Sequence, residues 1–301
     1  MAVLDELQAA TASVAASVAP ATVRIGREGG RGAGVVVGDG LVVTNAHNVR
    51  GPQVTVTFAD GRVVTGDVQG VDIDGDLAVV AADTAGTAAL PWAEETPAVG
   101  TPVWAVTVPA SGGTRVTMGA VSAVGRPFRG PAGRRIPASV EHTAPLARGS
   151  SGSPLVTADG RLVGLNTHRL GDGFYLALPA GPELREQIDR LGRGETTNRR
   201  RLGVALVPSH VGRRLRAAVG LPDRDGLLVR GVEDGSPAAG AGLRRGDLIV
   251  AAGGRAVANG DDLFAAIDAA GDTLALTVVR GSEEIELVAH FAPTPEGPPA
   301  A

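Results

Sequence analysis

The chain has 301 residues, a formal net charge of −4, no cysteine and no lysine. That length suits two domains. The charge offers no basic field for nucleic acid, and the absence of cysteine excludes disulfide scaffolds, thiolate metal sites and thiol nucleophiles. Hydrophobic residues make up 44% but aromatic ones only 3%, so the core must be Val, Leu, Ile and Ala, and 44 Gly with 20 Pro imply short strands between many turns.

Val3, Leu4, Leu7, Ala10, Val14 and Val18 recur at spacings of three and four, which predicts an amphipathic helix over residues 3–19, ended by Pro20. Asp5 and Glu6, with no Lys or Arg ahead of the apolar residues, do not make a secretory signal. Nor is there an apolar run of about 18 residues to span a bilayer. As encoded, the chain reads as cytoplasmic, or as extracytoplasmic if a leader has been removed. Short β segments follow at Thr22–Ile25, Gly34–Val37, Leu41–Asn45, Val54–Phe58, Val63–Val71, Leu77–Ala81, Val103–Val108, Val116–Val124, Leu155–Thr157, Leu162–Asn166 and Phe174–Ala177. Strands so closely spaced argue for an antiparallel barrel or sandwich. The Gly-rich segment Gly26–Gly40 lacks the Gly-Lys-Ser/Thr ending of a phosphate loop and leads into a strand.

Pro179–Leu191 switches to helical spacing, with Leu184, Ile188 and Leu191 on one face. The polar stretch Gly192–Arg201 reads as a linker, so a first domain is expected over 1–191 and a second over 202–291. In the second, strands are expected at Leu202–Val207, Gly226–Val232, Leu248–Ala251 and Leu274–Val279. Helices are expected over Val211–Val219 and Asp261–Ala270, with a short one opened by Ser236-Pro237. The Pro/Gly/Ala-rich tail 292–301 has a disordered composition.

Three separated segments carry candidate chemistry. Leu146–Leu155 reads L-A-R-G-S-S-G-S-P-L; Gly149 permits a sharp turn, Gly152 and Ser153 are small, and Pro154 leads into a strand. Such a turn can expose the Ser151 hydroxyl as a nucleophile beside an oxyanion hole built from the backbone of Gly149, Ser150 and Ser151, each donor worth roughly 10²–10³ in rate. A serine in a Gly-rich turn is more often only a turn, and the partners upstream change that balance. His47 closes a strand in V-V-T-N-A-H-N-V, and Asp76 leads into a buried strand in D-G-D-L-A-V-V. Serine attack on a carbonyl needs a base for its proton, which neutral imidazole supplies, and a carboxylate to fix the tautomer and stabilise the imidazolium. The order His–Asp–Ser is that of the chymotrypsin-like barrels.

The motifs T-N-A-H-N-V, D-L-A-V, G-S-S-G-S-P-L and G-L-N-T at Gly164–Thr167 resemble the HtrA/DegP serine proteases. L-G-V at Leu202–Val204 and G-S-P-A-A-G-A-G-L-R-R-G-D-L-I at Gly235–Ile249 resemble their PDZ module. The resemblance spans about residues 3–291 and implies a mainly β fold, a chymotrypsin-like double β-barrel protease domain followed by a smaller α+β PDZ domain. It implies ATP-independent protein quality control, with His47 as general base, Asp76 as its orienter and Ser151 as nucleophile. It also implies homo-oligomers, often trimers. The chain departs from the family's usual pattern in having Ser150 before the nucleophile, Ser153 in place of a second Gly, no long aromatic loop near the start of the barrel, and no aromatic residue in the N-terminal helix.

By the same resemblance Leu165, Asn166, Thr167, His168 and Gly173 surround the primary substrate pocket. No Asp or Glu lies in Thr143–Arg148, Leu165–His168 or Gly173–Tyr175, which argues against cleavage after Lys or Arg and for a small or aliphatic residue. In the second domain, backbone amides of Leu202, Gly203 and Val204 would receive a peptide carboxylate, Arg201 would add attraction, and Leu263 and Ile267 would line the groove or pack as core. The expected partners are unfolded or C-terminal peptide segments, with no cofactor, metal or nucleic acid. The alternative is a latent or inactive barrel acting as a peptide-binding, chaperone-like protein.

Overall fold

The computed structural model describes residues 2–26, 32–131, 133–195, 200–207 and 209–291. The chain forms two compact units, Met1–Thr197 and Asn198–Ala301. Part of the expected linker (196–199) and the expected tail (292–301) lie outside the described residues.

The first unit opens with helix α1 (Ala2–Val18), whose Val14 and Val18 are buried. Its Thr11 hydroxyl accepts a hydrogen bond from the indole of the buried Trp104 at 3.0 Å, which ties the helix to the barrels. Strands β1 (Thr22–Ile25), β2 (Gly32–Gly38), β3 (Leu41–Thr44), β4 (Gln53–Phe58), β5 (Val63–Asp72) and β6 (Leu77–Ala81) close into an antiparallel barrel ordered β1-β2-β3-β6-β5-β4. Valine dominates its interior, as Val23, Val35, Val36, Val42, Val43, Val56, Val79 and Val80 are all buried; the β-branched side chain fits a pleated, tightly curved surface.

Next come β7 (Pro102–Thr107), β8 (Arg115–Val124) and a small hairpin of β9 (Phe128–Arg129) and β10 (Arg135–Ile136). They are followed by β11 (Val140–His142), β12 (Pro154–Val156), β13 (Leu162–Gly171) and β14 (Phe174–Pro179). A second closed barrel results, ordered β11-β14-β13-β12-β7-β8. The short strand β11 escaped the sequence reading because Val140-Glu141-His142 has neither length nor clear alternation. Strand β13 runs five residues beyond the expected end through bulges after Asn166 and Arg169. Helix α2 (Pro182–Gly192) buries Leu184, Ile188 and Leu191. It lies so close to β5 that a Cβ on Gly70 would fall 2.4 Å from the Leu191 carbonyl oxygen.

The second unit is a sheet ordered β15 (Val204–Leu206), β16 (Leu227–Val232), β17 (Leu248–Ala252), β19 (Thr273–Arg280) and β20 (Glu283–His290), with β18 (Arg255–Ala256) paired to β17. Helices α3 (Ser209–Ala218), α4 (Pro237–Gly240) and α5 (Gly260–Ala269) pack with it. Ser236 caps α4 as expected from its Ser-Pro start, and Asn259 with Asp262 forms a capping box on α5. The edge strand starts at Val204 rather than Leu202, because Gly203 has φ +79° and the Leu202 carbonyl accepts the Ala238 amide at 2.9 Å. Strand β20 was not foreseen; it carries Glu283, Glu284 and Glu286, and only Ala289 is buried. Among the described residues no helix is long and apolar enough to cross a membrane.

Candidate active site

His47 sits in a single 3₁₀ turn, Ala46–Asn48, directly after β3. Asp76 ends the tight turn between β5 and β6 and adopts φ +55°, a left-handed conformation that costs a non-glycine residue about 1–2 kcal/mol. The turn is held from below. The buried Asp72 carboxylate accepts the amides of Asp74 at 3.1 Å and Gly75 at 3.0 Å, and the Gln187 side chain of α2 donates to it. Asn45 fixes the other side by donating to the Asp76 carbonyl at 2.9 Å.

The Asp76 carboxylate, 1% exposed, receives three donors. His47 Nδ1 lies 2.8 Å from Oδ1 and 3.0 Å from Oδ2, and the His47 amide donates to Oδ1 at 3.2 Å. The Thr167 hydroxyl donates to Oδ2 at 2.5 Å. An ionised carboxylate only accepts, so Nδ1 carries the ring proton and neutral His47 presents an unprotonated Nε2.

Ser151 arrives from the second barrel. Its carbonyl accepts the Ala33 amide of β2 at 2.7 Å and the Asn48 side chain at 2.8 Å, so the neighbour of His47 holds the serine turn. The Ser151 hydroxyl donates to the Thr167 carbonyl at 3.2 Å. Thr167 therefore touches Asp76 through its side chain and Ser151 through its backbone, which gathers the three separated residues around one strand position.

Gly149 has φ +83° and Gly152 φ +90°, left-handed values that glycine adopts without penalty. Of the three expected oxyanion donors, the Ser150 amide is already donated to the Ala147 carbonyl at 3.3 Å. Among the described residues the Gly149 and Ser151 amides have no backbone acceptor, so these two are available to an oxyanion. The hydroxymethyl of Ser153 does not crowd the turn. It is buried and accepts the Asn166 side-chain amide at 3.0 Å. Asn166 also donates to the Ser153 carbonyl at 3.1 Å, which leaves its Oδ1 to accept from His142 Nε2 at 2.8 Å. His142 is buried against Tyr175, and its desolvation lowers its pKa from 6.5 to about 4, so the ring is neutral. The sequence does not reveal this support because its partners lie on β11, on β13 and in the serine turn, far apart along the chain.

A cleft of about 320 Å³ opens beside Ser151, lined by Leu146, Ala147, Arg148, Gly149, Ser150, Ser151, Thr167, His168, Arg169 and Tyr175. Thr167 and His168 are where they were expected. Leu165, Asn166 and Gly173 are not among the lining residues. Leu165 belongs to the core, Asn166 is committed to the buried network, and Gly173 sits in the β13–β14 turn with φ +85°. Strand alternation turns Leu165 inward, and the bulge after Asn166 brings out Arg169, which the sequence reading had not placed there.

In the second unit Gly203 lies so near Ser236 that a Cβ would fall 2.2 Å from the serine Cβ. A smaller cleft there is lined by Arg201, Gly203, Glu233, Asp234, Gly235, Ser236 and Pro237. Val204 begins the sheet's edge strand, whose outer side has no neighbouring strand among the described residues. Leu202 is buried, and Leu263 and Ile267 lie within the core rather than lining that cleft, because the inner stripe of α5 has to close the sheet.

Residues 32–165 match the trypsin-like peptidase domain, and residues 228–280 match the PDZ domain. HhoA of Synechocystis sp., which bears the name of a serine protease, is 34% identical over 291 residues, covering 91% of this chain and 73% of that protein. A Brucella suis protein named as a periplasmic DegP-like serine endoprotease is 32% identical over 282 residues, covering 89% of this chain and 54% of its own length. The chain belongs to the HtrA/DegP family of serine proteases. This HtrA-like enzyme is a serine endopeptidase, and its architecture agrees with that of the HtrA-type protease AlgW with a tripeptide. That comparison has a TM-score of 0.55 at 27% identity and covers 95% of this chain and 99% of the other.

Proposed function

We propose that His47, Asp76 and Ser151 form the catalytic triad and that the enzyme cleaves unfolded or exposed polypeptide in protein quality control. Attack requires the Ser151 hydroxyl to leave the Thr167 carbonyl and donate to His47 Nε2 instead. Nε2 takes the proton as Ser151 Oγ bonds to the substrate carbonyl carbon, and the amides of Gly149 and Ser151 receive the oxyanion. Asp76 keeps Nδ1 protonated and balances the imidazolium charge. His47 then returns the proton to the leaving amine, and water releases the acyl group by the same base.

The observation that carries this reading is the placement of Thr167, bonded to Asp76 by its hydroxyl and to Ser151 by its carbonyl. A fluorophosphonate probe tests it: wild type should be labelled and Ser151→Ala should not. A folded wild type that stays unlabelled and inactive would favour the latent, chaperone-like alternative.

We further propose that the second unit docks peptide C-termini as a strand added to the edge of β15. The amides at Leu202–Val204 would receive the carboxylate, with Arg201 near the entry. Leu263 and Ile267 would then act by supporting the sheet. The Brucella relative is named for the periplasm, and an extracytoplasmic place of action fits that name.

A further inference from the structure

We propose that the cleft beside Ser151 selects an acidic residue, of the glutamate class, at the position whose carbonyl is attacked, with Arg169 as the selecting side chain and Arg148 as a second cation. The proposal rests on Ser151 being the nucleophile, since the substrate side chain next to the attacked carbonyl must then enter the space between Ser151 and the Thr167–Arg169 strand. Two arginines border that space and, among the described residues, no carboxylate does. Neither guanidinium has an ion-pair partner among the described residues.

Arg169 is also held in place. It donates to the Leu146 carbonyl, and its guanidinium carbon lies 5.4 Å from the centre of the Tyr175 ring. A guanidinium has five N–H donors, so one bond to a carbonyl leaves others to meet a carboxylate side-on. Because the side chain is tethered at its head, less rotamer freedom is lost when a ligand binds. Tyr175 in turn stacks on His142 with ring centres 5.8 Å apart, so the surface that Arg169 rests on is itself anchored. Leu146, Ala147 and the Tyr175 ring offer apolar contact to the methylenes of a glutamate, while an arginine or lysine substrate would bring like charge against like. The expectation of a small or aliphatic residue came from the lack of Asp and Glu in Thr143–Arg148, Leu165–His168 and Gly173–Tyr175; the cleft adds Arg169, which lies outside those stretches, to the wall.

The test uses the full chain and peptides identical except for Glu, Gln, Val or Arg at the acyl side of the scissile bond. The Glu peptide should exceed the Gln peptide by about tenfold in kcat/KM at low ionic strength, as expected of a charge-assisted bond. That ratio should fall as salt rises. Arg169→Gln should bring it to about one, and Arg169→Lys should leave it between the two. Unfolding midpoints show whether each variant is folded, and the salt series on wild type needs no variant. Equal turnover of Glu and Gln peptides, or Val preferred over both, would overturn the proposal. So would a Glu preference that survives Arg169→Gln. Fluorophosphonate labelling in parallel separates the failures: a labelled enzyme without acid preference refutes only this proposal, whereas an unlabelled, inactive one refutes the Ser151 reading and this proposal with it.

Discussion

Gly152→Ala is the sharpest test of how the serine turn is built. Gly152 adopts φ +90°, and a Cβ there would lie 2.0 Å from the Ala33 carbonyl oxygen and 2.7 Å from Thr44 Oγ1. The carbonyl would have to retreat by more than an ångström. It is pinned, because Thr44 Oγ1 donates to it at 2.6 Å and the Ala33 amide donates to Ser151 at 2.7 Å. The left-handed conformation costs about 1–2 kcal/mol for alanine, and the overpacking adds about 1–3 kcal/mol. Gly149→Ala is the internal control, since φ is +83° but, among the described residues, nothing lies within 4 Å of its Cβ position. It should show only the backbone cost, about 1–2 kcal/mol. Urea unfolding followed by tryptophan fluorescence measures both, and Trp92 and Trp104 belong to the unit that contains the serine turn. Equal midpoints for Gly152→Ala and Gly149→Ala would refute the contact between the two barrels on which the position of Ser151 depends.

Asp76→Asn should lower kcat about 10³–10⁴-fold with the fold kept, because an amide can donate to Nδ1 and so favour the wrong tautomer; a smaller loss measured on a peptide substrate would remove Asp76 from its assigned role. Gln187→Leu, which takes a donor from Asp72 under the Asp76 turn, should reduce kcat severalfold with KM nearly unchanged, and a change in KM alone would count against a positioning role. The buried His142 binds a proton only below about 4, whereas the unfolded chain does so below 6.5, so its neutral form gives full stability above pH 6.5 and loses it as pH falls toward 4. The loss amounts to about 3 kcal/mol. His142→Gln should flatten that acid slope in urea midpoints. Gly203→Ala, whose Cβ would meet Ser236 at 2.2 Å, should abolish peptide binding measured by fluorescence polarisation while leaving the tryptophan-reported unfolding of the first unit in place.

The sequence alone was enough to read the class of fold and most of the strands of the first unit, since alternation and turn residues act over a few neighbours. Its motifs also singled out His47, Asp76 and Ser151, because the residue types that the chemistry needs lie in distinctive local contexts. Only the tertiary structure decided what depends on distant segments meeting. Thr167 joins Asp76 to Ser151 across 91 and 16 residues of chain, and His142, Asn166 and Ser153 form one buried network from two strands and the serine turn. The register shift after Asn166 puts Arg169 on the face of Asn166 and Tyr175 rather than that of Leu165, and Arg169 lines the cleft beside Ser151. Shifting a strand by one residue exchanges its inner and outer faces, and a single sequence carries no sign of where the ladder will slip.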